Sequence, residues 1–335
     1  MLLRRGGSNS RPSGYEPDEL PLLYFAMWVA NVSSLYHTIQ NCFSFFTFYY
    51  FHRMKYIALA LLLTSMVSCS SSSHTRQDEL YSRHLQRKVQ LTIVNNNLKG
   101  PKDQWNLLLL NDGNEMEKLD VSKVIDSLQQ KGSIGPLIVV GIHTGDRMQE
   151  YGISNKPDFE GRGNKADNYS SFVGKELIPF ILKKSEVRSF KTVAMAGCSL
   201  GGLSAFDVAW NNSAKIDKAG IFSGSFWWRD KDATDSSYDN DKNRITLAKI
   251  KASRKQPGQQ FWFYSGWKEE TSDRDKDGIT DAVDDTRDVV QALKTYRKFP
   301  AQDIVLVENK DGQHDWPSWK EYFPLFLAWA FPANQ

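Results

Sequence analysis

The sequence predicts an α/β fold with a mostly parallel central sheet and helices on both of its faces. Short, continuously apolar segments alternate along the chain with segments whose apolar residues recur at helical spacing. Strands that are apolar throughout are typical of parallel sheets covered on both faces. The 335-residue chain is 41% hydrophobic and 24% charged, which is an ordinary globular composition.

The elements of this fold can be placed in order along the chain. Strand-like segments cover residues 88–94, 105–110, 136–142, 191–196, 218–224, 260–266 and 303–309. Helical spacing covers residues 118–132, 170–184, 199–210, 285–298 and 318–331. Pro179 lies inside the second helix and is expected to kink it. Ligands of such sheets bind beyond the carboxyl ends of the strands, so the residues that follow each strand are the candidates for a site.

An export signal is predicted before residue 70. Residues 54–68 have a basic start, an apolar run and small residues before Cys69, which is the order of a secretory signal peptide. The letters "MVSC" resemble a bacterial lipobox, in which Cys69 is lipidated and becomes the first mature residue. An ordinary signal peptide or a buried helix is the alternative. We expect an exported lipoprotein of the bacterial cell envelope, in the periplasm or at the outer membrane, attached to the membrane through this anchor only.

The signal divides the chain into parts with different expected roles. Net charge from Cys69 onward is close to zero, which argues against a nucleic-acid-binding surface. Cysteine occurs three times, and an exported chain with so few cysteines depends on its core rather than on disulfides. We expect a monomer. The expected parts are 1–53, an upstream extension or wrongly assigned start (or else an unusual leader); 54–68, the signal peptide; 69–79, a flexible tether; and 80–332, one α/β domain.

A serine nucleophile is predicted at the end of the 191–196 strand. The sequence "GCSLG" (197–201) matches the G-x-S-x-G nucleophile elbow, a tight strand-to-helix turn that exposes the oxygen of Ser199. The amide of Leu200, at the start of the following helix, would face developing negative charge. A packing turn without catalytic function is the alternative. Cys198 is interpreted as a small buried hydrophobic residue.

His314 and Glu269 are the predicted partners of Ser199. An α/β-hydrolase orders its triad along the chain as serine, acid and histidine, and His314 is the one histidine after Ser199. Its loop follows the last strand, although an exposed loop histidine without function is the alternative. The acid should follow the penultimate strand, where we choose Glu269 over Glu270 and Asp273. That carboxylate would hold the histidine tautomer that acts as the base.

A second oxyanion donor is predicted in the "NDGN" segment (111–114), directly after an early strand. We nominate the backbone amide of Asn114, because Gly113 allows a tight turn before it. Turn formation alone is the alternative explanation for these residues.

Together these segments resemble the putative-esterase branch of the α/β-hydrolases. That branch includes feruloyl and acetylxylan esterases, enterochelin-type siderophore esterases, S-formylglutathione hydrolases and mycolyltransferases. The resemblance covers about residues 80–332 and depends on "LLLLNDGNEM", "AGCSLGGLSAF", "WFYSGWKEE" and "GQHDWPSW". It implies a hydrolase without a large lid, oxyanion amides at Leu200 and Asn114, and the acid at Glu269. The segment "SGSFWW" (223–228) departs from the family, since many members have a proline in that turn.

A calcium loop is predicted beside the acid. The sequence "DRDKDGITDAVDD" (273–285) has the D-x-D-x-D-G spacing that coils oxygen ligands around one hard cation. An acidic loop that caps the next helix is the alternative. We expect a structural Ca²⁺ that orders the segment presenting Glu269, and no cofactor for catalysis. The predicted ligands are Asp273, Asp275, Asp277, Asp281, Asp284 and the carbonyl of Ile279.

The function predicted from the sequence is serine carboxylic-ester hydrolysis through an acyl-enzyme. Polysaccharide-linked acyl or feruloyl esters and siderophore esters are the expected substrates, as small molecules or glycans. An acyltransferase of the same fold and a catalytically silent, calcium-stabilised binding module are the alternatives. Arg147 and Glu150 either line the cleft or form a structural ion pair. Four tryptophans, which either wall the cleft or belong to the core, are Trp227, Trp228, Trp316 and Trp319.

Overall fold

The computed structural model describes residues 75–95, 98–254 and 258–333, together with positions 31, 37 and 40. The predicted signal peptide and Cys69 lie outside these residues. The chain divides into two units, Met1–Ser72 and Ser73–Gln335, and the elements given below belong to the second. None of the helices described is long and apolar enough to span a membrane.

The strands and helices of the second unit alternate along the chain, as the sequence predicts. The strands are β1 Thr75–Ser82, β2 Arg87–Val94, β3 Asn106–Leu110, β4 Leu137–Ile142, β5 Val193–Cys198, β6 Lys218–Phe222, β7 Gln260–Gly266 and β8 Ile304–Asn309. The helices are α1 Val121–Gln130, α2 Arg147–Glu150, α3 Ala166–Phe172, α4 Ile178–Ser185, α5 Leu200–Asn211, α6 Asn240–Asn243, α7 Ile245–Ala252, α8 Asp281–Arg297 and α9 Trp316–Ala330.

These strands form one sheet in the order β1-β2-β4-β3-β5-β6-β7-β8. β1, β2 and β4 are antiparallel neighbours, and every neighbouring pair from β4 to β8 is parallel. The mostly parallel sheet of an α/β-hydrolase is therefore confirmed. In the described part of the chain no inserted domain covers the carboxyl ends of the parallel strands.

The core lies on both faces of this sheet. In β3, Leu107 and Leu109 belong to one buried cluster, whereas Leu108 and Leu110 belong to the other. Alternate side chains of a strand point to opposite faces, so both faces of β3 are buried. Helix α5 packs in the first cluster and α9 in the second. Burial on both faces explains why these strands are apolar throughout.

Helices α2, α6 and α7 have no counterpart in the sequence prediction, and three other elements differ from it. β1 begins at Thr75, within the predicted tether, and pairs along its length with β2. A π-helical turn, Val173–Leu177, joins α3 to α4 just before Pro179, where the missing amide hydrogen interrupts the regular ladder. α8 begins at Asp281 rather than residue 285, so its first turn overlaps the predicted calcium loop.

Candidate active site

Ser199 occupies the sharp turn between β5 and α5. Its backbone has φ 56° and ψ −125°, a strained conformation for a residue with a side chain. The amide of Ser199 donates to the carbonyl of Phe222 at 2.8 Å, which ties the turn to β6. Ser199 as a whole is half-buried. This geometry is that of a nucleophile elbow.

Close packing around the turn explains the glycines of the motif. A Cβ atom on Gly197 would collide with the carbonyl of Gly201, and one on Gly201 would lie 2.7 Å from Oδ2 of Asp112. Strand β5 and helix α5 therefore approach each other through glycine at both positions. Cys198, between them, is 5% exposed. Burial, with a smaller contribution from the Asp112 carboxylate, raises the pKa of the Cys198 thiol, so this residue stays protonated.

His314 and Glu269 meet at the carboxyl ends of β7 and β8. Nδ1 of His314 lies 3.1 Å from Oε2 of Glu269. Oε1 of the same carboxylate accepts hydrogen bonds from Oγ of Ser223 at 2.6 Å and from the amide of Gly266. The Glu269 side chain is 3% exposed and that of His314 is 40% exposed. A buried carboxylate thus fixes the Nδ1 side of a histidine that is itself partly exposed.

The two alternative acids lie in other surroundings. No hydrogen bond or ion pair joins Glu270 to His314 among the described residues, and burial raises the pKa of the Glu270 carboxyl group. The carboxylate of Asp273 accepts hydrogen bonds from the amides of Lys276 and Gly278 in its own loop. Of the three candidate acids, the structure brings Glu269 to His314.

The described hydrogen bonds include none between Oγ of Ser199 and His314. Catalytic hydrogen bonds of this kind commonly tighten when substrate is bound. The two residues follow β5 and β8, which lie in the same sheet with β6 and β7 between them.

Ser223 and Trp319 support the acid, and the sequence analysis did not identify this role. Nε1 of Trp319 donates to Oγ of Ser223 at 2.7 Å, and that hydroxyl in turn donates to Glu269. The indole of Trp319 also packs edge-on against the His314 ring, with centroids 5.2 Å apart. Ser223 has φ 50°. One sequence signal could have identified Ser223. It lies directly after β6, in the "SGSFWW" turn that lacks the proline found in many members of the family.

The four tryptophans proposed for the cleft divide between core and surface. Trp228 and Trp319 are 0% and 5% exposed and belong to the interior. Trp316 is half-buried against the core, whereas Trp227 is 41% exposed. Trp227 is therefore the tryptophan available to line a binding surface.

The predicted oxyanion segment is hydrogen-bonded to the elbow. Asp112 has φ 54° and ψ 48°, and a 3-10 helix, Gly113–Leu119, begins after it. Asn114 is the second residue of that helix, where backbone amides have no intrahelical acceptor. Nδ2 of Asn111 donates to the carbonyl of Gly201 at 2.7 Å. Leu200 is the first residue of α5, so both nominated amides lie at helix N-termini.

Arg147 and Glu150 form structural ion pairs. Nε and a terminal nitrogen of Arg147 lie 2.8 and 2.9 Å from the two carboxylate oxygens of Asp112. Glu150 is 3% exposed and makes a similar two-bond pair with Arg87. The hydroxyl of Tyr151 accepts a hydrogen bond from the Asp112 amide at 2.9 Å. These contacts hold the left-handed turn that precedes Gly113.

Part of the predicted calcium loop converges. Carboxylate oxygens of Asp273, Asp275 and Asp277 all lie within 4.8 Å of one another. Burial, followed by the charges of Asp277 and Asp275, raises the pKa of Asp284. Asp281 instead accepts a hydrogen bond from the amide of Arg274 at 3.0 Å. Three of the five predicted aspartates thus share one location, and their carboxylate oxygens fit a hard cation.

Two adjoining cavities lie near the site, and one of them is lined by His314. The first, of about 210 Å³, has His314 and Ser225 in its wall. The amide of Ser225 donates to the carbonyl of Ser199 at 3.3 Å, so this cavity borders the elbow. The second, of about 470 Å³, shares Trp227 and Glu270 with the first. A substrate held at His314 has room to extend past Trp227.

Known proteins resemble the chain in sequence and in fold. A family model described as putative esterase matches residues 82–330. The enterobactin esterase FES from Shigella flexneri is 19% identical, with a TM-score of 0.58 over 76% of this chain and 58% of that one. A ferulic acid esterase is 18% identical, with a TM-score of 0.54 over 77% of this chain and 97% of that one.

An IroE-like serine hydrolase from Shewanella oneidensis is 19% identical, with a TM-score of 0.53 over 75% of this chain and 78% of that one. At these identities the structural likeness concerns the fold, and the chain spans 58% of the Shigella enzyme's length. The family model, by contrast, extends from the end of β1 to the end of α9. The chain therefore belongs to the putative esterase family, and its fold is that of an α/β-hydrolase.

Proposed function

We propose that this protein is a serine carboxylic-ester hydrolase with a Ser199, His314 and Glu269 triad. The observation that carries the proposal is the hydrogen bond between His314 and buried Glu269, beside a serine held in an elbow turn. The order of the three along the chain is that of α/β-hydrolases.

In the proposed mechanism, His314 takes the proton of Ser199 as its oxygen attacks the ester carbonyl carbon. The amides of Leu200 and Asn114 stabilise the oxyanion that forms. The bond to the alcohol then breaks, and the alcohol leaves with the proton held by His314. Water gives a proton to His314 and attacks the acyl-enzyme, which releases the acid and restores Ser199. Glu269 stabilises the imidazolium that forms in each step.

The proposed substrates are polysaccharide-linked acyl or feruloyl esters, or siderophore esters. Structural neighbours named as enterobactin and ferulic acid esterases support ester substrates that carry aromatic acids. The exposed indole of Trp227, which is common to both cavities, supports a substrate with a planar or sugar ring.

The test is a screen of acetyl, feruloyl and siderophore esters with residues 70–335, and with Ser199→Ala as the control. We expect the wild type to hydrolyse at least one class and to be labelled by a fluorophosphonate probe, whereas Ser199→Ala does neither. Transfer of the acyl group to an added alcohol in preference to water would identify an acyltransferase. Absence of both labelling and turnover in the wild type would identify a binding module instead.

We also propose that the protein is an exported lipoprotein anchored through Cys69. The support is the signal-like sequence at 54–68 followed by the lipobox-like cysteine. Metabolic labelling with an alkyne-tagged fatty acid checks this. The full chain should be labelled, Cys69→Ala should not, and equal labelling of the two would contradict the anchor.

A bound Ca²⁺ is proposed for the 273–284 loop. The support is the D-x-D-x-D-G spacing together with the three carboxylates that lie within 4.8 Å of one another. The residues that would hold the ion are Asp273, Asp275, Asp277, Asp281 and Asp284, with the Ile279 carbonyl. Its role would be structural, because the loop begins four residues after Glu269.

A further inference from the structure

The larger cavity beside Trp227 contains an arginine without a carboxylate partner. Arg229 lines this cavity of about 470 Å³, together with Tyr238, Arg274 and Glu270. Among the described residues no carboxylate lies within ion-pair distance of Arg229, and its Nε is buried without a hydrogen-bond partner. Its guanidinium stacks on Phe159, with the central carbon 5.4 Å from the ring centroid. The side chain is therefore positioned, and the carboxylate whose pKa its charge helps to lower, that of Asp232, lies beyond ion-pair distance.

The neighbouring arginines are already neutralised. Arg244 is buried and pairs with Asp285 and Asp288, each at 2.5 Å. Arg274 contacts Asp285 and lies 3.6 Å from Asp281. A buried or half-buried arginine normally satisfies its charge in this way, because an unpaired charge away from water is costly. Arg229 is the exception in this part of the described structure.

The residues that line the cavity indicate which chemical group would bind to Arg229. A guanidinium presents a planar fork of N–H donors that matches the two oxygens of a carboxylate. Glu270 and Asp281 also line the cavity, and their charges would repel a dianion more strongly than a monoanion. Trp227, which is common to both cavities, offers a flat apolar surface to the body of the ligand. A ring that carries one carboxylate fits these features.

We propose that Arg229 is a specificity-determining residue that binds a carboxylate on the ester substrate, so that the enzyme prefers esters of acidic molecules. This proposal rests on the proposed function, since it places the scissile ester at Ser199 and the carboxylate beyond Trp227. In this proposal the cavity holds one part of the ester, either the alcohol or the acyl group. Arg229 could bind a carboxylate on either part, and matched pairs of substrates show which part it is.

Two pairs of rigid esters test the preference. For the alcohol side, 4-acetoxybenzoate is compared with methyl 4-acetoxybenzoate. For the acyl side, 4-nitrophenyl 4-carboxybenzoate is compared with its methyl ester. The measured quantity is the ratio of kcat/KM for the acidic ester to kcat/KM for the neutral one. We expect a ratio of about ten or more in one pair for the wild type, the size of one charge-assisted bidentate interaction.

Variants at two nearby positions separate recognition from general electrostatics. Arg229→Gln should lower the ratio about tenfold or more, and Arg229→Lys should retain part of it, because the charge remains without the fork. Lys231→Gln removes the same charge two residues away, where the amine donates to Ser237 at 2.8 Å outside the cavity wall. It should leave the ratio within about twofold, since an exposed charge is screened.

A ratio near one for the wild type in both pairs would overturn the proposal, and so would an unchanged ratio in Arg229→Gln. Titration calorimetry on Ser199→Ala, with the same four esters, measures the preference in binding without turnover. A wild type that hydrolyses none of the esters contradicts the proposed function alone, because this binding measurement still reports on Arg229. If Arg229→Gln does not fold, the wild-type ratio and Arg229→Lys carry the test.

Discussion

Glu269 and Glu270 are adjacent in sequence but lie in different surroundings. Glu269 is held by Ser223 and the Gly266 amide and contacts His314, whereas Glu270 has a carboxyl pKa raised by burial and faces the cavity. This contrast allows the proposed acid to be tested with two isosteric changes at neighbouring positions.

We predict that Glu269→Gln lowers kcat for a simple ester by about 10³- to 10⁴-fold, because the amide favours the wrong histidine tautomer. Glu270→Gln is the matched control and should lower kcat less than about tenfold, since no hydrogen bond or ion pair joins Glu270 to His314 among the described residues. Steady-state kinetics on both variants, with melting curves to verify folding, decide the assignment. A larger loss in Glu270→Gln than in Glu269→Gln would contradict the proposed triad.

The site residues that the sequence predicts are those fixed by their position along the chain. Ser199 and Asn114 each follow a parallel strand within a recognisable glycine motif, and Glu269 and His314 follow the next strands in order. The support from Trp319 depends on where a side chain points within the folded core. Spacing does not encode that orientation, so sequence reasoning could not separate wall tryptophans from core tryptophans.

At the scale of elements, β1 illustrates what the sequence leaves open. Its sequence, "TRQDELYS", is mostly polar and its side chains are largely exposed, so no apolar periodicity predicts a strand. The segment is a strand because its eight residues pair with β2. Long-range pairing of an edge strand overrides local composition, whereas the inner strands are apolar because both faces are buried.

The pair between Arg287 of α8 and Glu308 of β8 predicts a pH-dependent stability. A hydrogen bond from Arg287 is the main cause that lowers the pKa of Glu308. A lowered pKa in the folded state means that the pair stabilises the fold above the unfolded carboxyl pKa of about 4.3, and that this is lost as pH falls through the folded value.

Glu308→Gln should therefore lower the free energy of unfolding at pH 7 by about 1 kcal/mol, since the pair is partly exposed. This corresponds to roughly 2–4 °C in Tm for a domain of this size. The difference from wild type should narrow as the pH falls through the lowered folded-state pKa of Glu308, because the wild-type carboxyl group then becomes neutral like the glutamine. Calorimetric melts at pH 7 and at a series of lower pH values check it. Glu186→Gln, in an exposed pair with Lys102, is the control, and a gap that persists at low pH would refute the linkage.

Over the whole molecule, the candidate site follows from the order of the strands. β3, β5, β6, β7 and β8 are successive neighbours in the sheet. The segments that follow them carry, in the same order, Asn114, Ser199, Ser223, Glu269 and His314. Parallel strands end at one edge, so residues far apart in sequence converge there. The antiparallel strands β1 and β2 extend the sheet on the side away from these residues.

The proposed calcium loop follows the acid, Glu269, at the carboxyl end of β7. The loop runs from the segment after Glu269 into the first turn of α8, so a bound ion would fix both ends of this connection. Without a cation, repulsion among Asp273, Asp275 and Asp277 opposes their close approach. Binding to the folded state alone stabilises it by mass action.

We predict that Ca²⁺ at about 100 times its Kd stabilises the protein by about 2.7 kcal/mol relative to chelator-treated protein. At about 2–4 °C per kcal/mol, Tm should rise by roughly 5–10 °C. Ester turnover should also fall on chelation, because the segment that presents Glu269 loses its order. Asp275→Asn should abolish most of the shift, whereas Asp241→Asn, an exposed acid of α6, should keep it. Unchanged Tm and unchanged turnover after calcium removal would refute the calcium site.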